Sequence, residues 1–407
     1  MAASEIILVN ISGEDRPGVT SAITAIFANH HVNILDVGQA VIHDTLSLGF
    51  LIELPATEEA SPILKELVFK AYELDIKINF TPTSHDDYHQ WVSGQGKARF
   101  IITMLGHKLT AQQLAEVTCV IHEHGLNIDF ISRLSGRIPL EESDKPSRAC
   151  VELSVRGEVN HEEIKTRLMD IAHRLRVDIA FQVDNLHRRN RRLVCFDMDS
   201  TLIQAEVIDI LADAAGAGEE VRKITEAAMA GELDFSESFR RRVALLEGLE
   251  ESRLQQIAES LPLTDGAERL VTMLKQLGYK TAILSGGFTF FGRYLQRKLG
   301  IDFVHANQLE IREGRLTGKH VGAIVDGQKK AELLQFIAQQ EGIELEQTIA
   351  IGDGANDLPM LKLAGLGIAF HAKPVVQQNA EHALSTLGLD GVLYFLGFRD
   401  RDVVTTP

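Results

Sequence analysis

Cysteine is scarce in this chain: three in 407 residues, Cys119, Cys150 and Cys195. That is too few, at spacings too irregular, for a disulfide framework or a thiolate metal site, so a reducing compartment is expected. Basic charge is also short. The 41 Lys and Arg against 57 Asp and Glu leave a net charge of −16, which disfavours nucleic acid or an anionic membrane as the main partner. A local pocket for a small anion remains compatible with it. No apolar run reaches the length of a membrane span, and the opening Met-Ala-Ala-Ser-Glu-Ile-Ile-Leu-Val lacks the basic start of a signal peptide. A cytoplasmic protein is expected. With 45% apolar and 24% charged residues, disorder and fibrous architectures are excluded. The length asks for two or three domains at roughly 150 residues each.

The first half contains a duplication. Residues 5–11 alternate as a strand, Asp15-Arg16-Pro17-Gly18 turns into a helical pattern through Val19, Ile23, Ile26 and Phe27, and residues 31–41 and 46–54 read as strands. Residues 62–74 then read as a helix and 76–80 as a closing strand. Ninety-four residues on, the same order recurs: strand 100–105, helix 111–124, strands 127–134 and 149–155, helix 161–175, strand 177–183. Val32-Asn33-Ile34 matches Leu126-Asn127-Ile128. Residues 81–97 read as a polar linker and 139–147 as an acidic loop within the second copy. His85 and His89, spaced i, i+4 in the linker, lack an acidic or thiolate partner in ligand register.

A βαββαβ unit of about 80 residues is ferredoxin-like. With Asp15-Arg16-Pro17-Gly18 at its first turn, the first copy resembles the ACT domain, a module that often senses amino acids. Read for structure alone, the same tetrapeptide is a helix start with Pro at the first position. The second copy has Gly106-His107-Lys108-Leu109 there, and packing or dimerisation is its default role. If an effector such as L-serine binds the first copy, Asp15, Gly18 and Asn33 are the candidates. ACT modules commonly pair edge to edge, so the resemblance implies a homodimer.

From Arg191 the pattern changes to short apolar strands alternating with helices, as in a mostly parallel α/β sheet. Residues 193–196, 281–284 and 348–351 read as buried parallel strands. Residues 205–261 contain only helical patterns, broken at Gly216/Gly218, Gly231 and Gly248, and are expected to form a cap inserted after the first strand. The expected domains are 1–84, 97–184 and 191–407, the last with a cap over about 205–262.

Chemistry gathers at the strand ends, where open α/β folds bind ligands. Asp197-Met198-Asp199-Ser200-Thr201 follows the first strand, Ser285-Gly286-Gly287 ends the second, and Gly352-Asp353-Gly354-Ala355-Asn356-Asp357 ends the third. Lys330 opens a helix between the last two. This set resembles the haloacid dehalogenase superfamily: Asp197, Asp199 and Thr201 fill its Asp-x-Asp-x-Thr motif, Ser285 and Lys330 its second and third motifs, and Gly352, Asp353, Gly354 and Asp357 its Gly-Asp-Gly-x-x-Asp motif. Lys330 is chosen over Lys329 from the Ala-Glu-Leu-Leu that follows. The fold implied is a Rossmann-like core with a small helical cap, behind two α+β ACT-like domains.

A carboxylate is ionised at neutral pH and can attack phosphorus without a separate base. A phosphate dianion repels it, so a divalent cation is needed, and hard carboxylate oxygens suit Mg²⁺. The resemblance makes Asp197 the nucleophile, Asp199 the acid and base, and Asp197, Asp353 and the backbone carbonyl of Asp199 the Mg²⁺ ligands. Asp199 needs a raised pKa, with repulsion from Asp197 as its expected source. Lys330 and the donors at Ser285 and Gly286 would balance phosphoryl charge. ATP-driven pumps in the superfamily carry Thr at the second acidic position, so Asp199 argues for a phosphatase.

Within the superfamily, Glu206, Met229, Phe235, Arg242, Ser285, Gly286, Lys330 and Asn356 follow the pattern of the phosphoserine phosphatase branch. The resemblance implies O-phospho-L-serine as substrate and the last step of serine biosynthesis as the place in metabolism. Glu206 would take the ammonium and Arg242 the carboxylate as a two-point fork. Met229 and Phe235 would close an apolar lid. The alternatives are another small-metabolite phosphatase or phosphotransferase, which has no use for both Glu206 and Arg242, and a non-catalytic amino-acid sensor on an inactive scaffold.

Overall fold

The computed structural model describes residues 4–55, 60–137, 147–229 and 232–402. It divides into two compact units, Met1–Lys97 and Ala98–Pro407.

In the first unit, β1 (Glu5–Glu14), β2 (Asn33–Ile42), β3 (Thr45–Leu54) and β4 (Lys77–Thr83) form an antiparallel sheet in the order β2-β3-β1-β4. Alternation puts Ile7, Val9 and Ile11 on one face, where they pack with Ile23 and Phe27 of helix Val19–Asn29 and Ile63 and Leu67 of helix Ala60–Glu73. The first helix starts one step later than its proline suggests. Gly18 is the N-cap at φ 99°, a left-handed conformation open to glycine, and Pro17 lies ahead of the helix. The polar stretch after β4 is also more ordered than a linker. Helix His85–Ser93 is capped by the Ser84 hydroxyl, which accepts from the Asp87 amide at 3.0 Å, with Asp86 and Asp87 in its first turn.

The second unit opens with the repeat: β5 (Arg99–Gly106), β6 (Asn127–Arg133), β7 (Ala149–Arg156) and β8 (Asp178–Val183), ordered β6-β7-β5-β8, with helices Ala111–Glu123 and His161–Leu175. Most of the acidic loop read at 139–147 falls outside the described residues. A seven-stranded sheet follows, ordered β12-β11-β10-β9-β13-β14-β15. Its strands are β9 (Leu193–Phe196), β10 (Lys280–Phe288), β11 (Phe303–Arg312), β12 (Arg315–Val321), β13 (Thr348–Gly352), β14 (Leu366–Phe370) and β15 (His382–Leu384). All neighbours are parallel except β11 and β12. Strand β9 is central and buried on both faces: Val194 and Phe196 join one core cluster, Leu193 and Cys195 the other. Cys195 is therefore packing, and burial pushes its thiol pKa up.

Four helices, Val207–Ala214, Gly218–Met229, Phe235–Ala244 and Glu251–Ser260, form the cap. Its two ends are zipped together: Ile203 pairs with Leu263, the Gln204 amide donates to the Pro262 carbonyl (2.9 Å), and the Thr264 amide donates to Leu202 (3.0 Å). The β11–β12 hairpin, which the sequence pattern did not separate from its surroundings, braces this cap. His320 meets Phe239 edge-on at 5.5 Å, and Arg315 bonds Glu250 at 2.8 Å.

The repeat in this unit is joined to the α/β part by a buried polar seam. Asp178 accepts from the amides of Ser385 and Thr386, both at 2.9 Å, and Gln182 donates to the Phe395 carbonyl at 3.0 Å. Leu105, Cys150 and Ala180 share a core cluster with Phe395.

Candidate active site

A cavity of about 200 Å³ opens at the carboxyl ends of β9, β10 and β13, beneath the cap. That is below the ~300 Å³ at which pockets for drug-sized ligands begin, so it suits a small metabolite. Asp197, Asp199, Glu206, Phe235, Arg242, Ser285, Gly286, Asp353 and Asn356 all line it. Lys330 does not line the cavity and reaches it through Asp197. The side chain of Met229 is outside the described residues.

Asp197 leaves β9 with its Oδ1 held from two sides, by the Met198 amide at 2.7 Å and the Lys330 ammonium at 2.9 Å. Lys330 is fully buried and also bonds Asp357 at 2.6 Å; the two carboxylates raise its pKa against the opposing effect of burial. Lys329 instead pairs on the surface with Glu332. The clustered carboxylates are Asp197, Asp353 and Asp357, each with an oxygen within 4.8 Å of the others. The side chain of Asp199 is outside this cluster, so Asp199 could serve a cation there only through its backbone. Asp357 is the acid that residue-by-residue reading left without a role, although its motif contains it.

One ammonium does not neutralise three carboxylates. Burial first, then repulsion from Asp197 and Glu206, pushes Asp353 up to about 7, while the Thr201 hydroxyl, donating at 3.1 Å, pulls it back. Asp357 is raised chiefly by burial and by Asp197. A small, hard divalent cation would relieve this excess of negative oxygen, so the donor set fits Mg²⁺.

Asp199 is raised well above the ordinary carboxyl range, and the main cause is burial. Glu206 comes second and Asp197 third, so the expected source of the shift ranks below two others. Its Oδ1 is buried without a hydrogen-bond partner among the described residues, while Oδ2 packs against Gly287, where an added Cβ would approach it to 2.8 Å. A larger residue there would push aside both that carboxylate and the end of the Met198 side chain.

One wall of the cavity is formed by the end of β10. Ser285 is buried, and its Oγ accepts from the Gly287 amide at 2.9 Å. Asn307, 2% exposed on β11, donates to the Gly286 carbonyl and accepts from the Val325 amide, both at 2.8 Å. Because C=O and N–H of a trans peptide point oppositely, fixing the Gly286 carbonyl outward aims the Gly287 amide toward Ser285. Nothing in the sequence pattern marked Asn307.

Glu206 occupies the N-cap position of helix Val207–Ala214 without a side-chain capping bond, and its carboxylate accepts from Ser200 Oγ at 2.7 Å. Ser200 itself sits at φ 55° in the loop after Asp199. Atoms crowding the Glu206 carboxylate raise its pKa, opposed by Ser200 and Arg242. Of three consecutive arginines, Arg240 and Arg241 are exposed and Arg242 is half-buried in the cavity wall. Phe235 stacks on Phe239 at 6.3 Å, and Phe239 meets Phe288 at 6.0 Å, a continuous apolar roof. The structure does not gather the residues read as an effector site. Asn33 pairs with Glu53, which lies opposite Ile6, whereas Asp15 follows the far end of β1. Nine residue steps from position 6 to 15 place it ~30 Å away at ~3.4 Å per residue, and Gly18 lies with Asp15.

Family models match residues 5–81 and 98–182 as ACT domains and residues 191–365 as a haloacid dehalogenase-like hydrolase. The phosphoserine phosphatase of Streptomyces coelicolor is 43% identical over 98% of this chain and 93% of its own. That of Mycobacterium tuberculosis is 41% identical over 98% and 94%. The crystal structure of a probable phosphoserine phosphatase from Vibrio cholerae superposes with a TM-score of 0.58 at 36% identity, covering 75% of this chain and 87% of that one. The chain belongs to the phosphoserine phosphatase family, with two ACT domains ahead of its haloacid dehalogenase-like hydrolase domain.

Proposed function

We propose that this chain hydrolyses O-phospho-L-serine to L-serine and phosphate through an aspartyl-phosphate on Asp197. The observation that carries the substrate is the pairing of Glu206 with Arg242 in the same small cavity as Asp197. A compact molecule bearing an ammonium, a carboxylate and a phosphate meets a matching group for each. Arg242 supplies a planar fork for the carboxylate, and Glu206 an acceptor for the ammonium.

Asp197 attacks phosphorus through Oδ2, the oxygen without the bonds that hold Oδ1. The ester P–O bond breaks, and Asp199 gives its proton to the departing serine oxygen. Asp199, now ionised, takes a proton from the water that attacks the acyl phosphate, which releases phosphate and restores Asp197. Ser285, Gly286 and Asn356 hold the phosphoryl oxygens, Lys330 offsets their charge through its ion pair with Asp197, and Phe235 excludes bulk water. Asp197, Asp353 and the Asp199 carbonyl would hold Mg²⁺, beside Asp357; when bound it supplies charge neutralisation for two approaching anions.

An amino acid binding to the ACT domains is proposed to regulate turnover. Homodimer formation is proposed through the edge strand β2, which exposes Val37 (55%) and Ile42 (77%). No described helix is long and apolar enough to cross a membrane, in keeping with cytoplasmic serine synthesis. The test is a panel of phosphomonoesters with Mg²⁺. Phosphoserine should give the highest kcat/KM, with Glu206→Gln and Arg242→Ala erasing its advantage over esters without the amino-acid group. An unchanged preference in both variants would refute the assignment.

A further inference from the structure

A second cavity, of about 600 Å³, opens at the amino ends of β9 and β10, the end of the parallel sheet opposite the reacting groups. Its walls come from residues 189–192 ahead of β9, residues 277–280 leading into β10, Glu341 and Ile343 ahead of β13, and Phe398. Backbone bonds fix the rim. The Lys280 amide donates to the Arg192 carbonyl and the Arg192 amide to the Gln347 carbonyl, both at 2.8 Å.

Charge in this cavity is lopsided. Arg189, Arg191, Arg192 and Lys280 line it against one acid among the described residues, Glu341. Asp184 answers Arg189 at 3.0 Å, and Glu341 answers Lys280 at 3.1 Å. No carboxylate among the described residues pairs with Arg191 or Arg192. Arg192 is exposed, but Arg191 is only 8% exposed. Its Nη1 donates to the carbonyls of Glu346 and Thr348 at 3.2 and 3.3 Å, and its Nε is buried without a partner among the described residues. Carbonyl dipoles do not cancel a full charge, and a buried cation ordinarily has a counter-ion. Burial accordingly pushes the Arg191 pKa down to about 10, and Glu381 acts on it only from beyond ion-pair distance. Tyr279 lies near enough that each acts electrostatically on the other. The rest of the wall is apolar, with Phe398, Ile343 and a 44% exposed Leu277.

We propose that this cavity binds a nucleoside monophosphate, with its phosphate on Arg191 and Arg192 and its base among Tyr279, Phe398 and Leu277. Charge selects the phosphate. The two arginines left without carboxylates carry two positive charges, and a phosphate monoester, with a second pKa of about 6, is close to a dianion at neutral pH. The planar guanidinium fork matches phosphate oxygens, and the anion supplies the counter-charge that Arg191 lacks. Shape selects the base. Aromatic rings offer a stacking face to any flat base, and 600 Å³ lies inside the range of about 300–1,000 Å³ typical of organic ligands, roomier than a bare phosphate needs. No group of the active site takes part, so this binding stands or falls independently of the proposed phosphatase reaction.

The test uses the full-length chain carrying Asp197→Asn, so that the proposed reaction cannot consume the probes. Calorimetry measures adenosine monophosphate, adenosine, ribose 5-phosphate and inorganic phosphate, and hydrogen exchange follows residues 189–192, 277–280 and 197–206. Adenosine monophosphate should bind one to one, at least tenfold tighter than each of the other three, and protect residues 189–192 and 277–280. Arg191→Lys and Arg192→Glu should each weaken it at least tenfold, whereas Arg242→Ala should leave it unchanged. Should Arg191→Lys fail to fold, the exposed Arg192 position carries the test. In the otherwise native chain, Arg192→Glu should leave phosphoserine turnover unchanged. No saturable binding, equal binding of adenosine or of inorganic phosphate, or affinity unchanged in the arginine variants would overturn the proposal. Protection confined to residues 197–206, or loss of binding in Arg242→Ala, would overturn it by placing the nucleotide in the active site.

Discussion

Replacing Asp353 by Asn should abolish activity while making the metal-free protein more stable at neutral pH. The carboxyl is raised from an ordinary 3.8 to about 7 by burial and by Asp197 and Glu206. In the folded chain it therefore keeps a proton that the unfolded chain has already lost between those two values. Stability from this group is fully present below about pH 4 and is lost as pH rises through about 7. The displacement is worth ~4 kcal/mol at 1.36 kcal/mol per pH unit, and partial exposure of the site screens it to ~2 kcal/mol. Asparagine keeps an Oδ1 for the Thr201 hydroxyl and cannot ionise. In urea denaturation with a chelator, Asp353→Asn should exceed the native chain by ~2 kcal/mol at pH 8, with the difference vanishing toward pH 4. Mg²⁺ at a hundred times its dissociation constant adds ~2.7 kcal/mol to the native chain, so it should reverse the order. A variant less stable than the native chain at pH 8 in chelator, or equally stabilised by Mg²⁺, would refute the reasoning.

Asp199→Asn should lower kcat by about 10²–10⁴-fold. The native kcat/KM should fall on the alkaline side as the raised Asp199 loses its proton, and pH–rate profiles should show that limb missing from the variant's residual activity. Arg242→Lys should raise KM for phosphoserine about tenfold or more while leaving a phosphate ester without a carboxylate unaffected, as steady-state kinetics on both esters would show. Lys330→Met strands Asp197 and Asp357 without their buried cation and should cost about 3–5 kcal/mol by denaturant titration at neutral pH. Mg²⁺ should restore part of that loss.

The strands and the reacting groups were legible because their signals are local. Leu193–Phe196 ends at Asp197, and the chain that reads as an apolar run is the strand that is buried on both faces. Lys330 was separable from Lys329 by the helix that follows it. What could not be read depends on pairings distant in sequence. Asn307 acts through a carbonyl 21 residues away, and the basic cavity joins Arg191 and Arg192 to Tyr279 and Phe398. Burial of Asp199 arises from a cap and a loop that meet only in three dimensions, so neighbouring Asp197 looked like the larger influence. The helix at His85–Ser93 was readable after all: Ser84 followed three residues later by Asp87 is a capping signal, hidden by the lack of an apolar stripe.

The central claim is tested most directly by mixing the enzyme with phosphoserine labelled in its phosphoryl group and Mg²⁺, quenching in acid within one turnover, and locating the label. The account predicts an acid-stable, hydroxylamine-labile phosphoryl group on Asp197, absent from Asp197→Asn and longer-lived in Asp199→Asn. Label on another residue, or full turnover by Asp197→Asn, would contradict it.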